Sequence, residues 1–244
     1  MTLRTSISAL ACAFAVAATL LTSGCVTQPT ASVSNDAMPF EQAIATATDA
    51  LVAQTQTLPA FLAKVDAKLN KRAVVLDPTL DAGTGQQTAA TQLLDKTLTD
   101  RIGTKFEQFE VLPFRAANLT KAQYLLTGTL TRAPQAYRLN LALTDLKSGN
   151  VVAQSSALAR DSGVDMSPLP YYRDSPVLVK DKVIDGYVRT TVTPPGQRGD
   201  TVYLERIATA TLINEATLLY NAEKYQEALG QYRSALATPC LLYT

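Results

Sequence analysis

The chain has 244 residues, with 22 Lys+Arg against 21 Asp+Glu and a formal net charge of +1. That balance gives no electrostatic case for nucleic acid, whose binding demands a basic face. There is no histidine and no tryptophan. Without histidine, the commonest general base near neutral pH and the commonest zinc ligand are both missing. No Gly-x-Ser-x-Gly elbow, His-Glu-x-x-His pair, P-loop or EF-hand pattern is present. The expectation is a protein with no catalytic residues, no cofactor and no metal site.

Residues 1–24 have the three parts of a secretory signal. Arg4 is the charge of a short n-region, residues 9–21 are an uncharged apolar run too short to span a bilayer, and the small residues Ser23 and Gly24 precede Cys25. The Ser23-Gly24-Cys25 ending resembles the lipobox of bacterial lipoproteins, although the usual leucine place is Thr22 and the leucine is Leu21. The resemblance implies a diacylglycerol on the Cys25 thiol, cleavage before it, and acylation (palmitate) of the new amine. The competing reading is an ordinary cleaved signal with an incidental cysteine. Lipidation adds about 0.8 kcal/mol per buried CH₂, and several chains together anchor a protein stably. By resemblance to the enterobacterial sorting rule, Val26 in place of aspartate implies the outer membrane, facing the periplasm. Cys12 would leave with the signal, Cys25 would carry lipid and Cys240 falls in the unusual last five residues, so the expectation is a mature domain with no disulfide pair.

Residues 25–38 contain Thr, Ser and Pro without periodicity and read as a tether. Phe40, Ile44, Ala47 and Leu51 then repeat at helical spacing, and Leu58, Phe61, Leu62, Val65 and Leu69 mark a second helical stretch. Residues 73–76 are a short apolar run, as in a strand buried on both faces. Residues 77–88 form a loop with Pro78, Gly83 and Gly85. A phosphate-binding role for this loop competes with a plain strand-to-helix turn, since no lysine follows the glycines. Leu94, Leu98 and Ile102 predict a helix ending near Gly103. A strand at 109–114, a short helix at 116–122 and a strand at 124–131 follow. Residues 137–144 alternate as a half-buried antiparallel strand, Lys147-Ser148-Gly149-Asn150 is a hairpin turn, and 151–159 return from it. This order predicts an α/β (α+β) fold, a mixed sheet with packed helices, over residues 39–165.

Residues 166–200 are proline-rich and read as a loop-rich connector. Their distinctive part is Tyr171-Tyr172-Arg173-Asp174. Clustered tyrosine and arginine have the composition of a protein-binding hot spot. The alternative is a tyrosine pair closing the sheet core, with Arg173 and Asp174 as a local ion pair. Asp165 and Asp174 could be imagined as an acid/base pair, but no nucleophile accompanies them. Residues 201–239 are helical again. Ala216, Tyr225, Ala228, Tyr232 and Ala235 resemble the small and aromatic crossing positions of a tetratricopeptide repeat, with Ala216 where glycine is usual. Such a hairpin must pack on the sheet domain or belong to a longer array. Tyr220, Tyr225 and Tyr232 extend the possible partner surface of Tyr171, Tyr172 and Arg173. Residues 240–244, Cys-Leu-Leu-Tyr-Thr, fit nothing before them and read as a non-native tail on a truncated chain.

On Leu76-Asp77-Pro78, Leu126-Thr127-Gly128-Thr129-Leu130, Asp145 and the order of elements, residues 40–160 resemble the small α/β domain of FlgO-type outer-membrane lipoproteins. Related sheets occur in the curli-secretion lipoprotein and in lipoprotein activators of peptidoglycan synthases. The chain is also similar to the front part of OmpA-family envelope proteins, whose peptidoglycan-binding domain lies further along. The resemblance implies a lipid-anchored envelope scaffold with periplasmic protein partners, touching peptidoglycan only through a domain not in this chain. The alternative is a regulatory lipoprotein that activates or assembles an envelope enzyme or secretion machine.

Overall fold

The computed structural model describes residues 31–55, 71–175 and 180–237. Cys25, the expected second helical stretch and the tail lie outside the described residues. Seven strands form one mixed sheet: β1 (Ser32–Met38), β2 (Arg72–Leu76), β3 (Leu80–Asp81), β4 (Phe109–Pro113), β5 (Tyr124–Ala133), β6 (Ala136–Asp145) and β7 (Val151–Arg160). Their order is β1-β7-β6-β5-β2-β4, with β3 also pairing β5. The β5-β6-β7 meander is antiparallel, whereas β1 on β7, β2 on β4 and both β2 and β3 on β5 are parallel. The α/β (α+β) fold class, a mixed sheet with packed helices, is therefore present.

One face of the sheet is covered by α1 (Phe40–Ala53) and α2 (Ala89–Lys105). The expected stripe Phe40, Ile44, Ala47 and Leu51 is buried there, as are Leu94, Leu98 and Ile102 of α2, against Leu126, Leu130, Leu139 and Leu141. Pleating sends alternate residues to opposite faces. Val74 accordingly joins this core, and Val75 joins a second core on the other face. Gly103 lies inside α2 rather than capping it, and the C-cap is Phe106. The turn after β6 is as expected: Gly149 has φ +72°, and Asp145 Oδ1 accepts from the Ser148 amide at 2.7 Å.

Three expectations are corrected. Ser32–Met38, read as tether, form the edge strand β1, whose register runs from Ser32↔Ser155 to Met38↔Ala159 with a bulge between. These residues are too polar to announce a strand, and the open edge of β7 makes one of them. Residues 166–200 are not mainly loop. They contain the short α4 (Pro170–Asp174) and the ten-residue α5 (Lys182–Thr191), whose Tyr187 is buried in the second core. β6, in turn, is not half-buried, because α5 covers its other face and leaves Asn140, Ala142 and Thr144 enclosed.

The short α3 (Ala116–Leu119) follows β4, and α6 (Thr201–Leu204) follows α5. The chain ends its described part in a helical hairpin, α7 (Ile207–Asn221) and α8 (Tyr225–Ala237), closed by Glu223 at φ +62°. Ala216, Ala228 and Ala235 are buried in it. The hairpin also meets the sheet domain: Ile207 enters the second core, and the Asn214 amide donates to the Phe114 carbonyl at 3.4 Å.

Candidate functional site

The six residues expected to form a partner surface are brought together. α4 carries Tyr171, Tyr172 and Arg173, and α7 and α8 carry Tyr220, Tyr225 and Tyr232. Tyr171 is the hub. Its ring meets Tyr172 edge-on at 5.0 Å and Tyr220 edge-on at 5.6 Å, and stacks on Tyr232 at 5.7 Å, while Tyr220 meets Tyr225 at 5.0 Å. Edge-to-face pairs of this kind add about 0.5–1.5 kcal/mol each beyond burial. α4 is held from below, because the Tyr171 amide donates to Asn221 Oδ1 at 2.8 Å and the Leu169 amide to the Gln87 carbonyl at 3.1 Å. Tyr232 shares a 3.0 Å hydrogen bond with Thr217. Tyr225 is 53% exposed, and Leu229 and Leu236 beside it on α8 are also exposed.

Arg173 and Asp174 form the expected ion pair at 3.0 Å, and Tyr220 donates to the same carboxyl at 3.3 Å. The Arg173 hydrogen bond holds the Asp174 carboxyl below its ordinary range. The pair divides: Tyr171 packs against the helical hairpin, whereas the Tyr172 hydroxyl is hydrogen-bonded to Gln87 on the sheet side, near Asp77. Asp165 accepts from Ser167 and Asp174 from Arg173, so the two carboxyls serve separate turns.

The 77–88 stretch, read as a loop, contains the two-residue strand β3 and then a strand-to-helix turn. Asp81 takes the Gly83 amide and the Thr84 hydroxyl with its carboxylate and the Gly85 amide with its carbonyl. The first turn of α2 is equally spent. Ala89 and Ala90 donate to the carbonyls of Ser167 and Asp165, Thr91 to Thr88 Oγ1 in a capping box, and Gln92 to the Thr88 carbonyl. No orphan donors remain there for an anion.

Sequence reasoning missed a second feature, a polar seam between the sheet and its second helical layer. β5 is paired with β2 at Leu126 and with β3 at Thr129, and between them the chain swings away through Asp77 and Pro78. The Tyr187 hydroxyl of α5 fills that gap, accepting from the Gly128 amide at 3.0 Å and lying 2.9 Å from the carbonyls of both Gly128 and Pro78. The Tyr203 hydroxyl of α6 donates to Asp77 Oδ2 at 2.6 Å. Asp95 of α2 accepts from the Thr79 hydroxyl at 2.6 Å and the Thr79 amide at 3.1 Å. Burial pushes Asp77 up to about 8, helped by the Asp95 charge and opposed by the Tyr203 hydrogen bond. Asp95 is half-buried as a residue, and enclosure of its carboxyl pushes it up to about 7 against the Thr79 hydrogen bonds. Burial raises both tyrosines further from ionisation. The signal was there in the sequence as a lone acid after an apolar strand, Val74-Val75-Leu76-Asp77.

Elsewhere, a cleft of about 330 Å³ lies between the β6–β7 turn and the start of α7, with Lys147, Arg198 and Glu205 among its lining residues. Arg198 is committed to the Ser148 carbonyl at 2.9 Å. Among the described residues no cluster of three or more Cys, Asp or Glu could hold a metal ion, and no helix is long and apolar enough to cross a membrane.

These features define an α+β domain with a helical second layer and an aromatic surface patch. No protein-family model matches the chain, and no curated protein matches it. Two solved structures are similar, both described as the C-terminal domain of LpoB. The one from Escherichia coli has 9% identity and a TM-score of 0.37, covering 50% of this chain and 98% of that one. The one from Salmonella enterica has 11% identity and a TM-score of 0.32, covering 50% of this chain and 96% of that one.

Proposed function

We propose that this chain is a lipid-anchored interaction protein of the bacterial outer membrane, facing the periplasm, with no catalytic chemistry of its own. The observation that carries the reading is the convergence of Tyr171, Tyr172, Arg173, Tyr220, Tyr225 and Tyr232 on one patch, in a chain that opens on a lipobox-like Ser23-Gly24-Cys25. Tyrosine and arginine give large, rigid contact area with polar tips, which is what protein interfaces select. The finer parts of the proposal follow the resemblances: a FlgO-like α/β domain, a tetratricopeptide-like hairpin, the front of an OmpA-family arrangement, and contact with peptidoglycan only through a further domain. In the regulatory form of the reading, the partner is an envelope enzyme or secretion machine whose activity changes on binding. The likeness of element order to activators of peptidoglycan synthases favours that form over a passive scaffold.

The experiment is intact mass and membrane partition of the wild type and Cys25→Ala expressed in a bacterial host. The wild type should gain the mass of a triacylated cysteine and fractionate with the outer membrane, and the variant should lose both. A soluble, unmodified product would overturn the anchor. The patch is tested by Tyr225→Ala, whose ring is 53% exposed and gives up one edge-to-face contact with Tyr220. In-cell crosslinking to periplasmic partners should fall by about tenfold, a loss of ~1.4 kcal/mol. A regulator should also change the turnover of the enzyme it captures, whereas a scaffold should not.

A further inference from the structure

We propose that Asp77, enclosed beneath Tyr203 and Tyr187, is a proton-operated fastening. It holds the α5–α6 layer, and the α7–α8 hairpin behind it, against the sheet at low pH and releases that layer as the pH rises.

The geometry supports this in three ways. First, the layer is fastened to the sheet at the Asp77-Pro78 bend by two tyrosine hydroxyls from two different helices, Tyr203 on Asp77 at 2.6 Å and Tyr187 on the Pro78 carbonyl at 2.9 Å. Their rings also brace each other edge-on at 5.2 Å. Second, the groups that face Asp77 from every packed element are acids or neutral hydroxyls: Asp95 from α2, Tyr172 from α4, Tyr187 from α5 and Tyr203 from α6. The nearby cations of the layer are committed elsewhere, Arg189 to Asp200 and Lys180 to Asp185, each at 2.8 Å. Among the described residues no lysine or arginine is paired with Asp77 or Asp95. Third, Asp77 is only 8% exposed, so a charge there has neither water nor a counter-ion. A buried, uncompensated carboxylate either takes up a proton or escapes to solvent. Here escape means parting the helices from the bend.

The sign follows from linkage. Both carboxyls are held above their ordinary values in the docked state, Asp77 at about 8 and Asp95 at about 7. Their contribution to docking is complete below about pH 4, where the released carboxyls are also protonated. It is lost progressively from about pH 4 upward and is gone once the pH has passed about 7 for Asp95 and about 8 for Asp77. Each carboxyl can raise the release constant by up to about tenfold per pH unit across that interval. If the partner reading above holds, release would also disturb the tyrosine patch, because α4 is tied both to the sheet side through the Leu169–Gln87 bond and to α7 through the Tyr171–Asn221 bond. The fastening itself does not depend on that reading.

The test is hydrogen exchange of the mature full-length protein in detergent at pH 6 and pH 9, corrected for intrinsic chemical exchange. Amides of Lys182–Thr191 and Thr201–Leu204 should lose protection by at least about tenfold relative to those of β5 and β6. Asp77→Asn, which keeps an acceptor for Tyr203 but cannot ionise, should lose most of the pH response and keep only the part that Asp95 carries. Asp95→Asn should make the pH dependence shallower, because it removes one titrating carboxyl and its charge. Tyr203→Phe should loosen the helices already at pH 6 without abolishing the titration. Equal helix protection at pH 6 and 9 in the wild type would overturn the proposal. So would a full pH response in Asp77→Asn or, should that variant not fold, an undiminished response in Asp95→Asn. None of these measurements requires lipidation or a partner, so their failure is distinct from failure of the envelope reading.

Discussion

Gly128→Val should destabilise the domain by about 4 kcal/mol or more. Gly128 sits in the middle of β5, opposite Leu141 of β6. Even a single added β-carbon would lie 2.5 Å from Thr79 Oγ1 and 3.1 Å from Leu141 Cδ2. Thr79 cannot retreat cheaply. It is fully buried, and its hydroxyl is held by Asp95 at 2.6 Å. Overpacking of a core typically costs about 1–3 kcal/mol, and breaking a buried hydrogen bond to a carboxyl adds a similar amount. Urea unfolding followed by circular dichroism measures the loss. A valine variant within 1 kcal/mol of the wild type would mean that β5 and the Asp77-Pro78 bend are not in contact as described.

Tyr187→Phe removes one oxygen atom and should destabilise the protein by about 2–4 kcal/mol. The hydroxyl stands in for a missing strand. Where β5 passes from its pairing with β2 to its pairing with β3, the amide and carbonyl of Gly128 have no strand neighbour on that side, and Tyr187 serves both. Without it a buried donor and up to two acceptors are left unsatisfied, each costing about 1–3 kcal/mol, with partial relief from relaxation. The ring remains, so packing in the second core is preserved. Thermal and urea unfolding should shift while the cooperativity of the transition stays. The control is Tyr137→Phe, whose hydroxyl accepts from exposed Arg132 and should change stability by less than about 0.5 kcal/mol.

Both predictions fall on a part of the fold that the sequence conveyed poorly, and the reason is physical. The helix α5 reads Lys-Val-Ile-Asp-Gly-Tyr-Val-Arg-Thr-Thr, rich in β-branched residues with a glycine inside, so its local propensity is weak. It forms because Asp181 caps it through the amides of Val183 and Ile184, and because its buried face finds the sheet. Gly186 is the residue that lets it close on α6, since a β-carbon there would lie 2.9 Å from Asp200 Cγ and 3.0 Å from Tyr203 Cβ. Neither cause is visible in a ten-residue window. The strand β1 is a similar case. Its polar residues carry no strong strand pattern, and only the open edge of β7 turns them into one. By contrast, α1, the Val74–Val75 alternation and the β6–β7 turn are legible because apolar period and turn chemistry are local properties.

The sequence by itself determined the periodicities that make α1, α2 and the meander, and it supplied the candidate tyrosines one by one. Only the tertiary structure decided that residues 166–200 wall off the second face of the sheet, that Tyr171 meets Tyr220 and Tyr232, and that Asp77 is enclosed with Tyr203. Those outcomes rest on contacts between residues far apart in the chain, as much as 126 positions for the Asp77–Tyr203 hydrogen bond. Periodicity states which face of an element must be buried, but not which other element buries it. That choice is made by shape and by the satisfaction of buried polar groups once the whole chain is packed.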